Sequence, residues 1–142
     1  MTSKSACRPY KGQCLCGEIK YEVDEISQKM AHCHCTMCRK FHGSAFATFG
    51  EAKSEDFRWL QGVELLATYL APNGTKRQFC MNCGSSLTFS PSNDKGMFVE
   101  FTLGTLDSDI DQKPDAHIFM KSCVKWYDVN DGLPQYQKGR DT

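Results

Sequence analysis

The most reactive stretch of this sequence is residues 33–38, where three thiols follow a C-x-C-x-x-C spacing around an imidazole at His34. Three sulfurs this close can turn toward a single point within one short loop. Thiolates are favoured zinc ligands, at about 2.3 Å from the ion. A zinc held by three protein ligands keeps a fourth position for water or substrate, whereas four protein ligands make a closed structural site. The spacing therefore predicts a zinc site with an undetermined fourth ligand.

Two interpretations of that fourth position stay open. In the first, a water or a substrate thiolate completes a zinc held by Cys33, Cys35 and Cys38. Three thiolates leave this ion less negative than four would, so it is the better Lewis acid and lowers the pKa of an incoming thiol. In the second, a nearby imidazole closes the site. The candidates for that ligand are His32, His34 and His42.

A second set of thiols lies in two half-sites, Cys14-x-Cys16 and Cys80-x-x-Cys83, each followed directly by glycine. Two such half-sites on separate turns predict one four-cysteine zinc site. Its binding free energy would become folding free energy, which makes the site structural. A redox function for Cys80 and Cys83 would need a βαβ context, but the flanking residues are typical of hairpin strands.

Short strands must position these thiols. Residues 18–24 alternate charged and apolar side chains, which is the period of a half-buried strand. Further strands are predicted at 45–49, 63–70, 75–79, 85–89, 97–103, 117–120 and 123–127. The last of these predicts that Cys123, Trp126 and Tyr127 pack in the core. No stretch has a long helical period, so we predict a small, mostly β domain held together by zinc.

Length and composition restrict the class of protein. The chain of 142 residues fits one domain, which we place at 10–136, between a disordered lead at 1–9 containing Cys7 and a tail at 137–142. Seventeen basic and seventeen acidic residues cancel, so no strong field gathers nucleic acid or an anionic membrane. No apolar run approaches the roughly 18 residues of a membrane span.

Cysteine usage indicates the compartment. The chain has nine cysteines, an odd number, and no apolar segment at its N-terminus. Both features argue against a secreted disulfide scaffold. We expect a reducing, cytoplasmic environment with the thiols committed to metal, while the sequence carries no signal for an oligomeric state.

Five motifs extend this pattern over most of the chain. They are G-x-C-x-C-G at 12–17, C-H-C-x-x-C-R-K at 33–40, F-C-x-x-C-G-S at 79–85, G-T-L-D at 104–107, and H-I-F at 117–119 with Trp126. Together they closely resemble the glutathione-dependent formaldehyde-activating enzyme family, to which centromere protein V is also similar. The likeness runs from about Tyr10 to Tyr136.

The resemblance implies a β-rich zinc fold shared with a Rab-binding exchange chaperone, and two zinc ions per chain. One would be structural, on Cys14, Cys16, Cys80 and Cys83. The other would be exchangeable, on Cys33, Cys35 and Cys38. The family's founding activity joins glutathione to formaldehyde to give S-hydroxymethylglutathione, formally a carbon–sulfur lyase acting in reverse.

We therefore expect an enzyme whose partners are a small thiol, such as glutathione as co-substrate, and an aldehyde. His34 and His42 are the local candidates for proton transfer. His117 is either a remote candidate or a histidine that packs or caps the end of a strand. Arg39 and Lys40 either receive substrate carboxylates or are solvated surface. The alternative is a non-catalytic zinc module that binds a protein partner. A nucleic-acid-binding zinc finger is disfavoured by the balanced charge.

Overall fold

The computed structural model describes residues 8–142, so Cys7 and most of the predicted N-terminal lead lie outside the described residues. The strands are β1 (Tyr10–Gln13), β2 (Lys20–Val23), β3 (Ala31–Cys33), β4 (Ala47–Lys53), β5 (Phe57–Gln61), β6 (Leu66–Leu70), β7 (Lys76–Cys80), β8 (Ser86–Ser90), β9 (Phe98–Thr102) and β10 (Ala116–Ile118). One α-helix, α1 (Thr36–His42), follows β3. The prediction of a mostly β fold is confirmed.

The described chain forms two compact units. The first contains the residues up to Gln28 together with Gly50–Gln112, and the second contains Lys29–Phe49 together with Lys113–Thr142. Each unit brings together segments that are distant in the sequence, and each contains one of the two predicted thiol groups.

The first unit combines a three-stranded sheet, in the order β1-β2-β5, with the antiparallel run β9-β8-β7-β6. The alternation in β2 turns Tyr21 and Val23 inward. The Tyr21 ring stacks on Phe57 with ring centroids 5.1 Å apart, and it lies 5.9 Å from Phe101. The β7–β8 hairpin confirms the strands predicted on either side of Cys80–Cys83.

The second unit is built on β3. This strand pairs antiparallel with β4, where His32 is the register partner of Thr48. It pairs parallel with β10, where His32 is the partner of His117. The chain then enters α1, with Cys35 as its N-cap, and leaves it at Gly43, which has the left-handed φ of +59°. The sequence did not predict this helix because seven residues are too few to display a period.

The predicted last strand is wrong. Residues 123–127 pair with no strand within the described part of the chain, and Cys123 is exposed rather than packed. Trp126 and Tyr127 are also exposed, by 73% and 51%. A 3₁₀ turn at Met120–Ser122, entered through a left-handed Phe119, ends the extended path of β10 before these residues are reached. Among residues 8–142, no helix is both long and apolar enough to cross a membrane.

Candidate metal centres

The four predicted structural ligands lie on two tight turns of the first unit. Cys14 and Cys16 follow β1 in a turn that is closed by a hydrogen bond from Gly17 N–H to the Cys14 carbonyl at 3.0 Å. Cys80 ends β7, and its carbonyl accepts a 2.7 Å bond from Gly84 N–H, so that the chain doubles back around Cys83. Both glycines have left-handed φ values, +79° at Gly17 and +82° at Gly84, which such turns require.

The sulfurs of these residues converge as a tetrahedral ion would require. The Cys14 and Cys16 sulfurs are 3.6 Å apart, those of Cys16 and Cys80 are 3.9 Å apart, and all four including Cys83 lie within 4.8 Å of one another. Sulfurs at 2.3 Å from a tetrahedral zinc are separated by about 3.8 Å. None of the cysteines in residues 8–142 forms a disulfide. The four-thiol group therefore fits one zinc ion.

Hydrogen-bond donors surround these four sulfurs. The Cys14 sulfur accepts from Ile19 N–H at 3.3 Å, and the Cys16 sulfur accepts from the Asn82 side-chain amide at 3.3 Å. The Asn82 bond lowers the pKa of Cys16. Burial raises the pKa of Cys83, but hydrogen bonding to the Ser85 side chain and backbone outweighs it and lowers the value to about 6. These donors favour the thiolate forms of Cys16 and Cys83 that a metal needs, whereas burial raises the pKa of Cys80 to about 11.

The three-thiol group lies in the second unit, where β3 meets α1. Cys33 ends β3, Cys35 caps the helix, and Cys38 is buried in its first turn. The Cys35 sulfur accepts from Cys38 N–H at 3.3 Å, and the three sulfurs lie within 4.8 Å of one another. The neighbouring sulfurs of Cys35 and Cys38, and then burial, raise the pKa of Cys33 strongly. Three thiolates packed this closely repel one another, so the group fits a bound cation.

No imidazole belongs to this three-thiol group within residues 8–142, because no histidine nitrogen joins the sulfurs within that 4.8 Å range. The alternation of β3 explains this for His32. His32 precedes Cys33, and successive side chains of a strand point to opposite faces. His34 makes its contact with His117, which is the register partner of His32. His42 packs its ring against Phe49 at 5.7 Å.

His34, His117 and Asp131 instead form a hydrogen-bonded chain. The His34 Nε2 and His117 Nδ1 atoms are 2.8 Å apart, and His117 Nε2 lies 2.8 Å from the Asp131 carboxylate. Both histidines are 1% exposed. Burial, together with the neighbouring His117 and His32 rings, lowers the pKa of His34 to about 4. Asp131 was not predictable as a site residue, because nothing in its sequence context marks it as a partner of a residue 14 positions earlier.

The two basic residues that follow the three-thiol group differ in their surroundings. Arg39 donates through Nη1 to the Ser122 carbonyl at 3.1 Å and is half-buried. Lys40 is exposed. Of the two, Lys40 is therefore the more exposed residue.

Comparisons with known proteins show the family to which the chain is similar. The sequence model of the family described as glutathione-dependent formaldehyde-activating enzyme matches residues 9–122. A Schizosaccharomyces pombe protein named "Uncharacterized lyase" is 30% identical over 137 residues, covering 82% of this chain and 98% of its own. A Halomonas elongata protein named "Putative glutathione-dependent formaldehyde-activating enzyme" is 24% identical over 127 residues, covering 84% of this chain and 80% of its own.

The fold also has a solved counterpart. The crystal structure of a Rhodobacter sphaeroides protein superposes with a TM-score of 0.60 at 21% identity, covering 89% of this chain and 98% of that one. The match of the family model covers most of the sequence, including all seven cysteines of the two groups. The chain therefore belongs to the glutathione-dependent formaldehyde-activating enzyme family.

Proposed function

We propose that the protein is a zinc-dependent carbon–sulfur lyase that adds a small thiol, such as glutathione, to a small aldehyde. The reaction site is the three-thiol group, and the four-thiol group holds a second, structural zinc. The observation that carries this proposal is the composition of the three-thiol group, which contains three convergent sulfurs and no imidazole from the described part of the chain. Three protein ligands leave a tetrahedral ion one position for a substrate.

The reaction class follows from the thiol partner. The sulfur forms a bond to the carbonyl carbon, the π electron pair moves to the carbonyl oxygen, and the thiol proton ends on that oxygen. Bound zinc supplies a Lewis acid that lowers the pKa of an incoming thiol. The backbone N–H of Cys38 donates to the Cys35 sulfur and so orients this zinc ligand. The names of the yeast and Halomonas relatives support this class of reaction.

Residues around the group have proposed roles in proton transfer and substrate binding. His34 lies between two of the thiols in sequence, and its buried Nδ1 lacks a hydrogen-bond partner among the described residues, so it is the first proton-transfer candidate and is open to a hydrogen bond with a substrate group. His42, at the end of α1, is the second proton-transfer candidate. Lys40 offers an exposed charge to a carboxylate of the substrate, and Arg39 supports the same helix through Ser122.

A second candidate function is a zinc module that binds a protein partner without catalysis. The observation that favours it is the pair Trp126 and Tyr127, whose side chains are exposed by 73% and 51%. Exposed aromatic residues are enriched at protein interfaces. The two candidates predict different responses of the metal to small thiols.

Cobalt substitution distinguishes the lyase from the partner-binding module. The cobalt-loaded protein is titrated with glutathione while its thiolate charge-transfer bands are recorded, and the rate of S-hydroxymethylglutathione formation is measured by exchange NMR with formaldehyde. We expect glutathione to change the spectrum of one of the two thiolate-bound ions and the protein to accelerate adduct formation. Cys35→Ser should abolish both effects. Cys123→Ser, which changes an exposed thiol outside both groups, should abolish neither.

An unchanged spectrum at saturating glutathione, with no acceleration, would refute the lyase and favour the partner-binding module. Acceleration that survives Cys35→Ser would place the reaction elsewhere in the chain.

A further inference from the structure

We propose that His32, His117 and Asp131 form a third metal site, which binds a divalent transition-metal cation such as zinc through two imidazole nitrogens and one carboxylate. The three residues belong to the second unit, and one ligand atom from each lies within 4.8 Å of the other two. The site is separate from the three-thiol group, since His32 and Cys33 are consecutive in β3 and project from opposite faces.

Strand register brings the two imidazoles together. His117 of β10 is the parallel partner of His32 of β3, so their side chains leave the sheet on the same face. Their ring centroids are 4.7 Å apart at an interplanar angle of 30°. The backbone hydrogen bonds of the sheet therefore fix the spacing of these two ligands before any ion binds.

A hydrogen bond orients each imidazole from its far side. Nδ1 of His32 lies 2.7 Å from the Thr48 hydroxyl, which leaves Nε2 as its ligand atom. Nδ1 of His117 lies 2.8 Å from Nε2 of His34, which leaves Nε2 of His117 directed at Asp131. Histidine ligands typically hold their other ring nitrogen in this way, since a partner there fixes both the ring orientation and the tautomer.

The third ligand is positioned by a turn. Asp131 accepts a bond from Leu133 N–H through Oδ1 at 3.1 Å, around a Gly132 with φ of +79°. The chain beyond the turn is tied to β10, because His117 N–H donates to the Pro134 carbonyl and Tyr136 N–H donates to the His117 carbonyl, both at 2.9 Å. Oδ2 is thereby directed toward His117 Nε2, 2.8 Å away.

The ligand set selects the kind of ion. Nitrogen and oxygen ligands at 2.0–2.1 Å from a tetrahedral zinc are separated by about 3.3 Å. Since Asp131 Oδ2 lies 2.8 Å from His117 Nε2, the carboxylate must move away from the imidazole by roughly half an ångström. Asp131 lies on the surface, in a turn that allows this shift. Two imidazoles and one carboxylate suit zinc, cobalt or nickel rather than magnesium or calcium, which prefer oxygen. Three protein ligands would leave the ion an exchangeable position.

The test is a metal titration of the untagged full chain with Co²⁺, followed by optical absorption and metal analysis after desalting. Ions at the thiol groups give sulfur-to-metal charge transfer, whereas an ion on nitrogen and oxygen ligands adds only weak visible bands. We expect a third equivalent of Co²⁺ to bind and to add only the weak visible bands of nitrogen and oxygen ligands. Asp131→Asn should weaken its binding at least tenfold, and His32→Gln should do the same. Asp128→Asn, which changes an exposed carboxylate three residues earlier, should leave it unchanged.

A titration that ends at the thiolate-bound ions, or a third equivalent that survives both Asp131→Asn and His32→Gln, would overturn the proposal. Zinc titration followed by ¹⁵N NMR of the imidazoles gives an independent answer, because coordination must shift Nε2 of both His32 and His117. Neither readout involves glutathione. Failure of this site is therefore distinguishable from failure of the proposed lyase, whose test follows the charge-transfer bands.

Discussion

The sulfurs of Cys16 and Cys80 lie 3.9 Å apart, although 64 positions separate the two residues in the sequence. A cation shared by their two turns would close that long loop, and its binding free energy would add to the stability of the first unit. The connection does not depend on sulfur alone, because Leu15 N–H donates to the Ser85 hydroxyl at 2.8 Å across the same two turns.

Loss of one ligand from the four-thiol group should destabilise the protein strongly. We expect Cys16→Ser to lower the zinc content by one ion per chain. The melting temperature of the zinc-loaded protein should fall by about 10–20 °C, which corresponds to several kcal/mol for a chain of this size. Metal analysis and differential scanning calorimetry measure the two effects. Cys123→Ser provides the matched control, since its thiol is exposed and lies outside both groups. Equal melting temperatures for the two variants would contradict a structural metal here.

Gly62 should be far less replaceable than another glycine of similar backbone conformation. Both Gly62 and Gly96 have left-handed φ values, +83° and +76°. A Cβ at Gly62 would lie 2.2 Å from the Glu18 carbonyl oxygen, whereas a Cβ at Gly96 would have no atom within 4 Å. Gly96→Ala should cost only the conformational penalty, about 1 kcal/mol. Gly62→Ala should cost about 1–3 kcal/mol more, because backbone must move. Urea unfolding of both variants measures the difference in unfolding free energy. Equal costs would show that the backbone at Glu18 moves aside without a penalty.

Glu100 should make stability fall as the pH rises. This carboxyl lines a surface cavity of about 240 Å³ with Glu51 and Asp94. Burial, then the charges of Glu51 and Asp94, raise its pKa from 4.5 to about 7. The folded state therefore binds the proton more tightly than the unfolded state does. The resulting stabilisation is complete below pH 4.5 and is lost as the pH rises to about 7.

Glu100→Gln removes this dependence. At pH 8 the variant should be more stable than the parent by about 1–3 kcal/mol, and the advantage should vanish near pH 4.5. Chemical denaturation across that range measures it, and the difference between the two proteins cancels the contributions of other groups. Glu64→Gln, at an exposed position, should show no such trend. A pH-independent difference for Glu100→Gln would mean that the carboxyl titrates normally.

The Tyr21 hydroxyl should contribute to stability separately from its ring. The hydroxyl lies 2.8 Å from the Thr105 hydroxyl, which in turn donates to the Thr102 carbonyl at 2.9 Å. Tyr21→Phe keeps the stacking on Phe57 but removes this bond inside the core, at a cost of about 1 kcal/mol. Thermal or urea unfolding detects it. The same change at Tyr69, which is 49% exposed, should have little effect. Equal losses of stability in the two variants would show that the buried hydrogen bond of Tyr21 contributes nothing of its own.

The mostly β fold and the division of seven cysteines into two groups were predictable from the sequence. Strand alternation in β2 and the hairpin around Cys80–Cys83 are local patterns, and glycines directly after the thiols mark the turns that hold them. Such features depend on neighbours in the chain, so composition and spacing reveal them. The helix α1 was not predicted because it is short, and Trp126 was wrongly expected in the core because apolar character does not determine burial.

The surroundings of the histidines were not predictable from the sequence, because they depend on contacts between distant segments. His32 and His34 flank Cys33 in the sequence, yet both imidazoles lie against His117 of β10, which in turn contacts Asp131. Asp131 is 14 positions from His117 and reaches it through a turn whose return segment pairs with β10. Contacts of this kind depend on which strands become neighbours. That choice is made by the packing of the whole unit and not by any local pattern of residues.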